Sequence, residues 1–225
     1  WMLGYIHDPA SGQGVGPGAG FAFDNELAVN RVAVGACEID DRPVSWRRYL
    51  AFVHSGGYSD AQWWSPEAWQ WLQTTGGNPC APRYVLQRSG GSADTGWEQR
   101  CFGVWQALDL DAPACHLSYF EVEAWCRWAG RGLPTEAQWE KAAVTLPGFD
   151  WGEVWEWTAS TFNPYPGFVA HPYRDYSAPW FGSRPVLRGA SVATHSRMAH
   201  PRYRNYFTPE RNDIMAGFRT CSLAG

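Results

Sequence analysis

The sequence predicts a loop-rich α+β fold, and three observations predict it. The first is composition. Fifteen tryptophans, 24 glycines and 16 prolines in 225 residues describe an irregular backbone pinned by large rings. Such rings bury much area while keeping an N–H that needs a partner. Regular secondary structure is therefore expected to be low for the length. The second is a set of four helix starts with their own caps, all between residues 45 and 147. The third is that the strand-like segments lie outside that block, toward the two ends.

Each element follows from local chemistry. The opening WMLGYIH (1–7) resembles the middle of a strand, so the chain is expected to begin inside a longer protein. Residues 8–20, DPASGQGVGPGAG, form a Gly/Pro loop. No strand–turn–helix with Lys-Ser/Thr follows it, so it is not a phosphate loop. RVAVGACEI (31–39) alternates well enough for a strand. In PVSWRRYLAFVHSGG, Ser45 caps a helix with Trp46, Tyr49, Leu50 and Val53 on one face, and Gly56 and Gly57 end it. Ser65 caps a second helix with Pro66 in its first turn. Two capping boxes follow: Ser118 with Glu121, in a helix stopped by Gly130, and Thr135 with Gln138. Beyond residue 147 no long helix is predicted. PVLRGASV and AGFRTCSL are read as strands, and the rest as structured loop.

Charge and cysteine content exclude several classes. Eighteen basic against twenty-two acidic residues give a net charge of −4, which lacks the basic face of a non-specific nucleic-acid binder. No stretch approaches a membrane span and no signal peptide precedes the globular pattern. The six cysteines show no C-x-x-C. A chain this long holds a core without disulfides, so buried thiols in a cytoplasmic protein are expected, although the even count leaves disulfides open.

One stretch stands apart: RYRNYFTPERNDIMAGFR (202–219). Arg202, Arg204, Arg211 and Arg219 are interleaved with aromatic rings and with Asn205 and Asn212. It reads as neither an amphipathic helix nor an alternating strand. Aromatic faces attract a quaternary ammonium group, and guanidinium or amide donors hold a carboxylate. The bland alternative is that the rings are core and the arginines tie loops by salt bridges.

The segments GFAFDNE, PVSWRRYLAFV, CHLSYFEVEAWCRWAGRGLPTEAQWEKAA, WGEVWEWTAS, PVLRGAS and AGFR, in this order, resemble the formylglycine-generating-enzyme fold, a variant of the C-type-lectin fold. PYPGF and YRNYFTPER resemble the ergothioneine synthases and the related selenoneine synthases. The resemblance implies one domain over residues 1–225 that binds substrate. It also implies a non-haem iron enzyme that joins sulfur or selenium, with molecular oxygen, to the imidazole of hercynine, the trimethylated betaine of histidine. In that family three histidines of an N-terminal helical domain bind Fe(II). The histidines here are His7, His54, His116, His171, His195 and His200, with no His-x-x-x-His or His-x-Glu spacing. The iron ligands, and the domain carrying them, are therefore expected outside this chain.

The same resemblance assigns roles. Asn205 matches the asparagine that contacts hercynine, and Tyr206 the ring lining its pocket. Arg211 matches an arginine of the sulfur-donor pocket. Phe207 replaces the aspartate that binds the amino group of γ-glutamylcysteine. A phenyl ring accepts no such bond, so the implied donor is free cysteine or a selenosugar. The short connection AVTLPGFDWGE slightly favours the selenoneine type. A tyrosine hydroxyl near the reacting centre is implied, with Tyr165, Tyr173 and Tyr176 as candidates. A structural calcium is implied at Glu156, with Phe149 in place of a second ligand, which weakens it. Arg188 and Arg219 are expected to be structural. Formylglycine-generating enzymes carry a cysteine pair where Thr194 and Ala199 stand here, so that oxidase activity is disfavoured. A non-catalytic binding module is the remaining alternative.

Overall fold

The four helices form where their caps sit. The computed structural model describes residues 1–5, 22–74, 80–88 and 95–223. Helix α1 spans Trp46–His54, α2 Pro66–Thr74, α3 Tyr119–Ala129 and α4 Glu136–Thr145. Ser45 and Ser65 accept from the backbone N–H groups of Arg48 and Ala68. Both capping boxes close: Ser118 and Glu121 satisfy each other's backbone N–H groups, as do Thr135 and Gln138. Gly130, at φ 63°, ends α3 in the left-handed conformation that glycine adopts without strain. The loop at 8–20 and His7 lie outside the described residues.

The strands are shorter than the sequence pattern suggests. β1 (Met2–Leu3) pairs with β2 (Asn30–Arg31), so only the start of the expected 31–39 strand forms. Ile39 makes an isolated bridge to Cys221 instead. β3 (Val85–Gln87), β4 (Trp97–Cys101) and β5 (Val104–Ala107) build an antiparallel meander that sequence patterning did not predict. β6 (Trp155–Thr161), β7 (Pro185–Gly189), β8 (Arg204–Tyr206) and β9 (Ala216–Gly217) form the central sheet, in the order β8-β7-β6-β9. The arginine-rich stretch thus contains a strand after all, because β7 supplies its partner. Of the described residues 26% are helical and 19% strand, each a little below ordinary globular content.

Tryptophans pin the irregular backbone through their ring N–H groups. Trp64 donates to the Gly57 carbonyl at 2.8 Å, Trp157 to that of Leu117 at 2.9 Å, and Trp125 to that of Arg48 at 3.3 Å. All three also belong to the main core, with Trp46, Tyr49, Phe52 and Phe218. All six cysteines are free thiols. Among the described residues no helix is long and apolar enough to cross a membrane.

The register of the central sheet sorts its residues into two faces. Glu156, Arg188 and Arg204 lie in one row across β6, β7 and β8. Trp157, Leu187 and Asn205 lie in the next, and successive side chains of a strand point to opposite faces. The charged row meets α4, which buries Glu136 and Glu140 four residues apart on one helical face. The other row carries Trp157 and Leu187 into the main core.

Candidate functional site

The charged row is a fully internal network. Arg204 is buried and grips Glu136 with both ends of its fork, Nε at 2.9 Å and Nη2 at 3.0 Å. Its remaining N–H groups reach the carbonyls of Asn25 and Asn163. Arg188 donates to Glu140 and to the carbonyls of Pro201 and Arg202. Arg219 donates to both oxygens of Glu156 and to the carbonyls of Asp40, Asp41 and Asp150. Arg188 and Arg219 are structural, as expected, and Arg204 joins them.

This network corrects the calcium expectation. Both Glu156 oxygens are taken by Arg219, and Trp139 adds a ring N–H to Oε2 at 2.8 Å. Phe149 lies 3.7 Å from the Arg219 guanidinium carbon, measured from its ring centroid. A guanidinium fills the place a metal cation would take, and it already collects the surrounding carbonyl oxygens. The residues present therefore do not fit a calcium ion, which needs six to eight such ligands.

It also separates the candidate tyrosines. Tyr165 is only 6% exposed, lies under the Arg204 guanidinium at 4.0 Å, and donates to Glu136 Oε2 at 3.2 Å. Burial and the adjacent Glu136 push its phenol well above the usual range. It is a core residue of the ion-pair layer, which corrects its place among the catalytic candidates. Tyr173 is 69% exposed and its ring lies 6.3 Å from that of Tyr176. Tyr176 is half-buried at a hub. Its ring stacks on Phe23 at 4.1 Å, its hydroxyl lies 3.3 Å from that of Tyr203, and its carbonyl accepts from the Tyr206 hydroxyl.

Strand alternation likewise divides the Asn205–Tyr206–Phe207 triplet. Tyr206 is 9% exposed and stacks on Phe162 at 3.9 Å, in a small cluster on the α4 side of the sheet. It does not share a face with Asn205. It reaches the hub through its hydroxyl and through its ring, whose centroid lies 6.1 Å from that of Tyr176. Tyr203 and Phe207, two residues either side of Asn205, both pack against the main core, and Trp155 lies 5.1 Å from Tyr203. Asn205 Oδ1 accepts from the Tyr206 backbone N–H at 2.9 Å, and its amide NH₂ is the donor end of the side chain. Arg211 is 42% exposed, paired to Asp213, and stacked 5.0 Å from the Phe207 ring.

Sequence reasoning missed Phe23 and Tyr203. The alternation Tyr203, Asn205, Phe207 was a signal that would have found Tyr203. Phe23 sits about 150 residues from Tyr176 in the chain, and no local pattern announces that contact. Near Ser191, Thr194 folds its hydroxyl back to the Ser191 N–H at 2.9 Å. No thiol lies in residues 190–200, so the pair that formylglycine oxidation would use is missing.

Comparison with known proteins bears on this arrangement. Residues 11–150 and 149–223 match the family model described as sulfatase-modifying factor enzyme 1-like domain. The hercynine oxygenase of Mycobacterium tuberculosis is 35% identical over 88% of this chain and 55% of its own length. That of Mycolicibacterium thermoresistibile is 32% identical over 88% and 53%. The formylglycine-generating enzyme of Streptomyces coelicolor is 27% identical over 92% of the chain and 84% of its own length. The chain spans about half the length of the two hercynine oxygenases. With nearly all of its residues covered by the family match, this chain belongs to the sulfatase-modifying factor enzyme 1-like domain family.

Proposed function

We propose that this chain is the substrate-binding domain of an iron-dependent enzyme that forms a C–S or C–Se bond on the imidazole of hercynine. The observation that carries the reading is the aromatic hub of Phe23, Tyr176 and Tyr203, the last of which immediately precedes the strand that carries Asn205. A trimethylammonium group offers no N–H and is held by ring faces. A carboxylate is held by an amide donor. Hercynine carries both. The similarity to two proteins named hercynine oxygenase supports the same substrate.

The roles follow from the geometry. Asn205 orients hercynine through its NH₂, and the rings exclude water around the ammonium. Tyr176 holds a proton at its hydroxyl. Burial first, and then the Tyr203 phenol beside it, push its ionisation well above the usual range, so it keeps that proton at neutral pH. As the family resemblance implies, iron is assigned to a helical domain outside the described residues, among which no three His, Cys, Asp or Glu side chains gather as metal ligands. When bound there, iron supplies oxygen activation. Phe207 offers the donor a ring and no acceptor, which favours cysteine or a selenosugar over γ-glutamylcysteine.

The test uses the full-length enzyme with hercynine, oxygen and the three donors, read by mass spectrometry. Asn205→Ala is expected to raise the KM for hercynine by the equivalent of about 1–3 kcal/mol, and Tyr176→Phe to lower kcat. An unchanged KM removes Asn205 from the pocket. Binding of hercynine with no turnover for any donor makes the protein a binding module. Preference for γ-glutamylcysteine overturns the role given to Phe207.

A further inference from the structure

Behind the tyrosine hub lie buried polar atoms that the described residues leave without partners. Glu26 is fully buried on the short turn Asp24–Glu26. Its Oε2 accepts from the Phe23 N–H at 3.3 Å, and its Oε1 has no partner. His200 is 5% exposed, and neither ring nitrogen has a partner. Its Nε2 stands 3.6 Å from Glu26 Oε2, beyond hydrogen-bond reach. Its ring lies 5.3 Å from Tyr5 and 5.9 Å from Tyr203. Buried polar groups are satisfied in the great majority of cases, by protein or by water. Two atoms this far apart can each lie about 2.8 Å from one shared water.

An ion pair does not account for this site. Burial pushes the Glu26 carboxyl up to about 8, against the pull of Arg188 and Arg204. Burial, then Arg188 and Arg202, lower His200 to about 4. Near neutral pH both groups are uncharged, and Glu26 carries a proton. The nearby Asp24 is engaged by Ser177 and by the His171 N–H. Beside these arginines and Asp24 stand two phenols, Tyr176 and Tyr203. A charge on Glu26 would push both Tyr176 and Tyr203 upward, which places its carboxyl within electrostatic reach of each.

We propose that Glu26 and His200 hold an internal water that links a proton-bearing Glu26 carboxyl to the Tyr203–Tyr176 hydroxyl pair, making Glu26 the proton store for Tyr176. The bookkeeping is a single proton. Tyr176 gives its proton to the open side. Tyr203 passes its own to the resulting phenolate, the water passes one to Tyr203, and the Glu26 carboxyl restores the water. Glu26 is left as a carboxylate, which solvent later reprotonates. The use of this store in turnover rests on the role of Tyr176 proposed above, whereas the store itself does not.

The experiment therefore reads the store without turnover, in the intact protein. Infrared difference spectra near pH 7 are expected to show a carboxylic-acid C=O band that is lost in Glu26→Gln. With fluorotyrosine at position 176, the ¹⁹F titration is expected to move to lower pH in Glu26→Gln, since the charge that opposes phenolate formation is gone. His200→Phe, which removes the water's imidazole partner, is expected to shift the C=O band without abolishing it. No acid band in the wild type, or a band indifferent to both variants, overturns the store. A positively charged His200 seen by ¹⁵N chemical shift at pH 7 does the same. If Tyr176→Phe turns over normally while the Glu26 band persists, the catalytic role of Tyr176 fails and the store stands.

Discussion

Arg204 and Asn205 are adjacent in the chain and belong to different regions of the molecule. Arg204 enters a sealed layer in which Arg188, Arg204 and Arg219 meet Glu140, Glu136 and Glu156 with essentially no exposed side-chain surface. Asn205 points to the other face of β8, the face to which alternation also turns Tyr203 and Phe207, and Phe207 carries the half-exposed Arg211. Both regions are made of arginines and rings. In the sealed layer every guanidinium is held by a carboxylate, so the layer supplies position rather than recognition. On the other side Arg211 is half-exposed, paired to Asp213 and stacked on Phe207. The lesson is that residue type alone does not sort these arginines and rings; the pleat of one edge strand does.

The sharpest way to break this comparison is to remove a cation from the sealed layer. Arg219→Ala leaves Glu156 buried without its partner and is expected to cost about 3–5 kcal/mol, measured by urea unfolding. Calcium or a chelator is expected to leave the wild-type midpoint unchanged, because Arg219 occupies the ligand oxygens. A chelator-induced drop would return calcium to Glu156.

A pH measurement probes the layer's border at Glu26. Its folded-state value lies above its ordinary 4.5, at about 8, so the native state keeps a proton that the unfolded chain has lost. Its contribution is full below pH 4.5 and is lost as pH rises toward 8. His200 acts oppositely: lowered from 6.5 to about 4, it favours the native state as pH rises through that range. Above pH 6.5 only the Glu26 effect of this pair remains. Stability is expected to fall by on the order of 2 kcal/mol from there to pH 8, and less steeply in Glu26→Gln. Equal slopes in the two proteins would falsify the assignment of a neutral Glu26.

Smaller effects belong to the open side. Tyr206→Phe removes the hydroxyl that holds the Tyr176 carbonyl and is expected to cost roughly 1 kcal/mol. It is expected to lower kcat without moving the KM for hercynine, because the ring itself stays on Phe162. Arg211→Ala breaks an exposed pair with Asp213 and is expected to change stability by about 0–1 kcal/mol. A large loss there would mean that Arg211 is structural after all, like its three buried counterparts.

The sequence by itself determined where the helices start, because a cap is a contract between residues three apart. Ser118 with Glu121 and Thr135 with Gln138 close as boxes in the structure just as the spacing says. It also determined the family, through motifs that survive as contiguous words. The strands were largely illegible. β8 exists because Val186–Arg188 pairs with it, and of the 31–39 segment Arg31 joins a described strand, opposite Met2. Folding alone separated the tyrosines: Tyr165 is held by Glu136 and Arg204, Tyr176 is framed by Phe23 and Tyr203, and Tyr173 stays exposed. It alone brought Glu26 beside His200, 174 residues later. The physical reason is the same throughout. Local hydrogen bonds are written in neighbouring residues, whereas pairing, burial and the charge state of a buried group depend on partners that folding delivers from far along the chain.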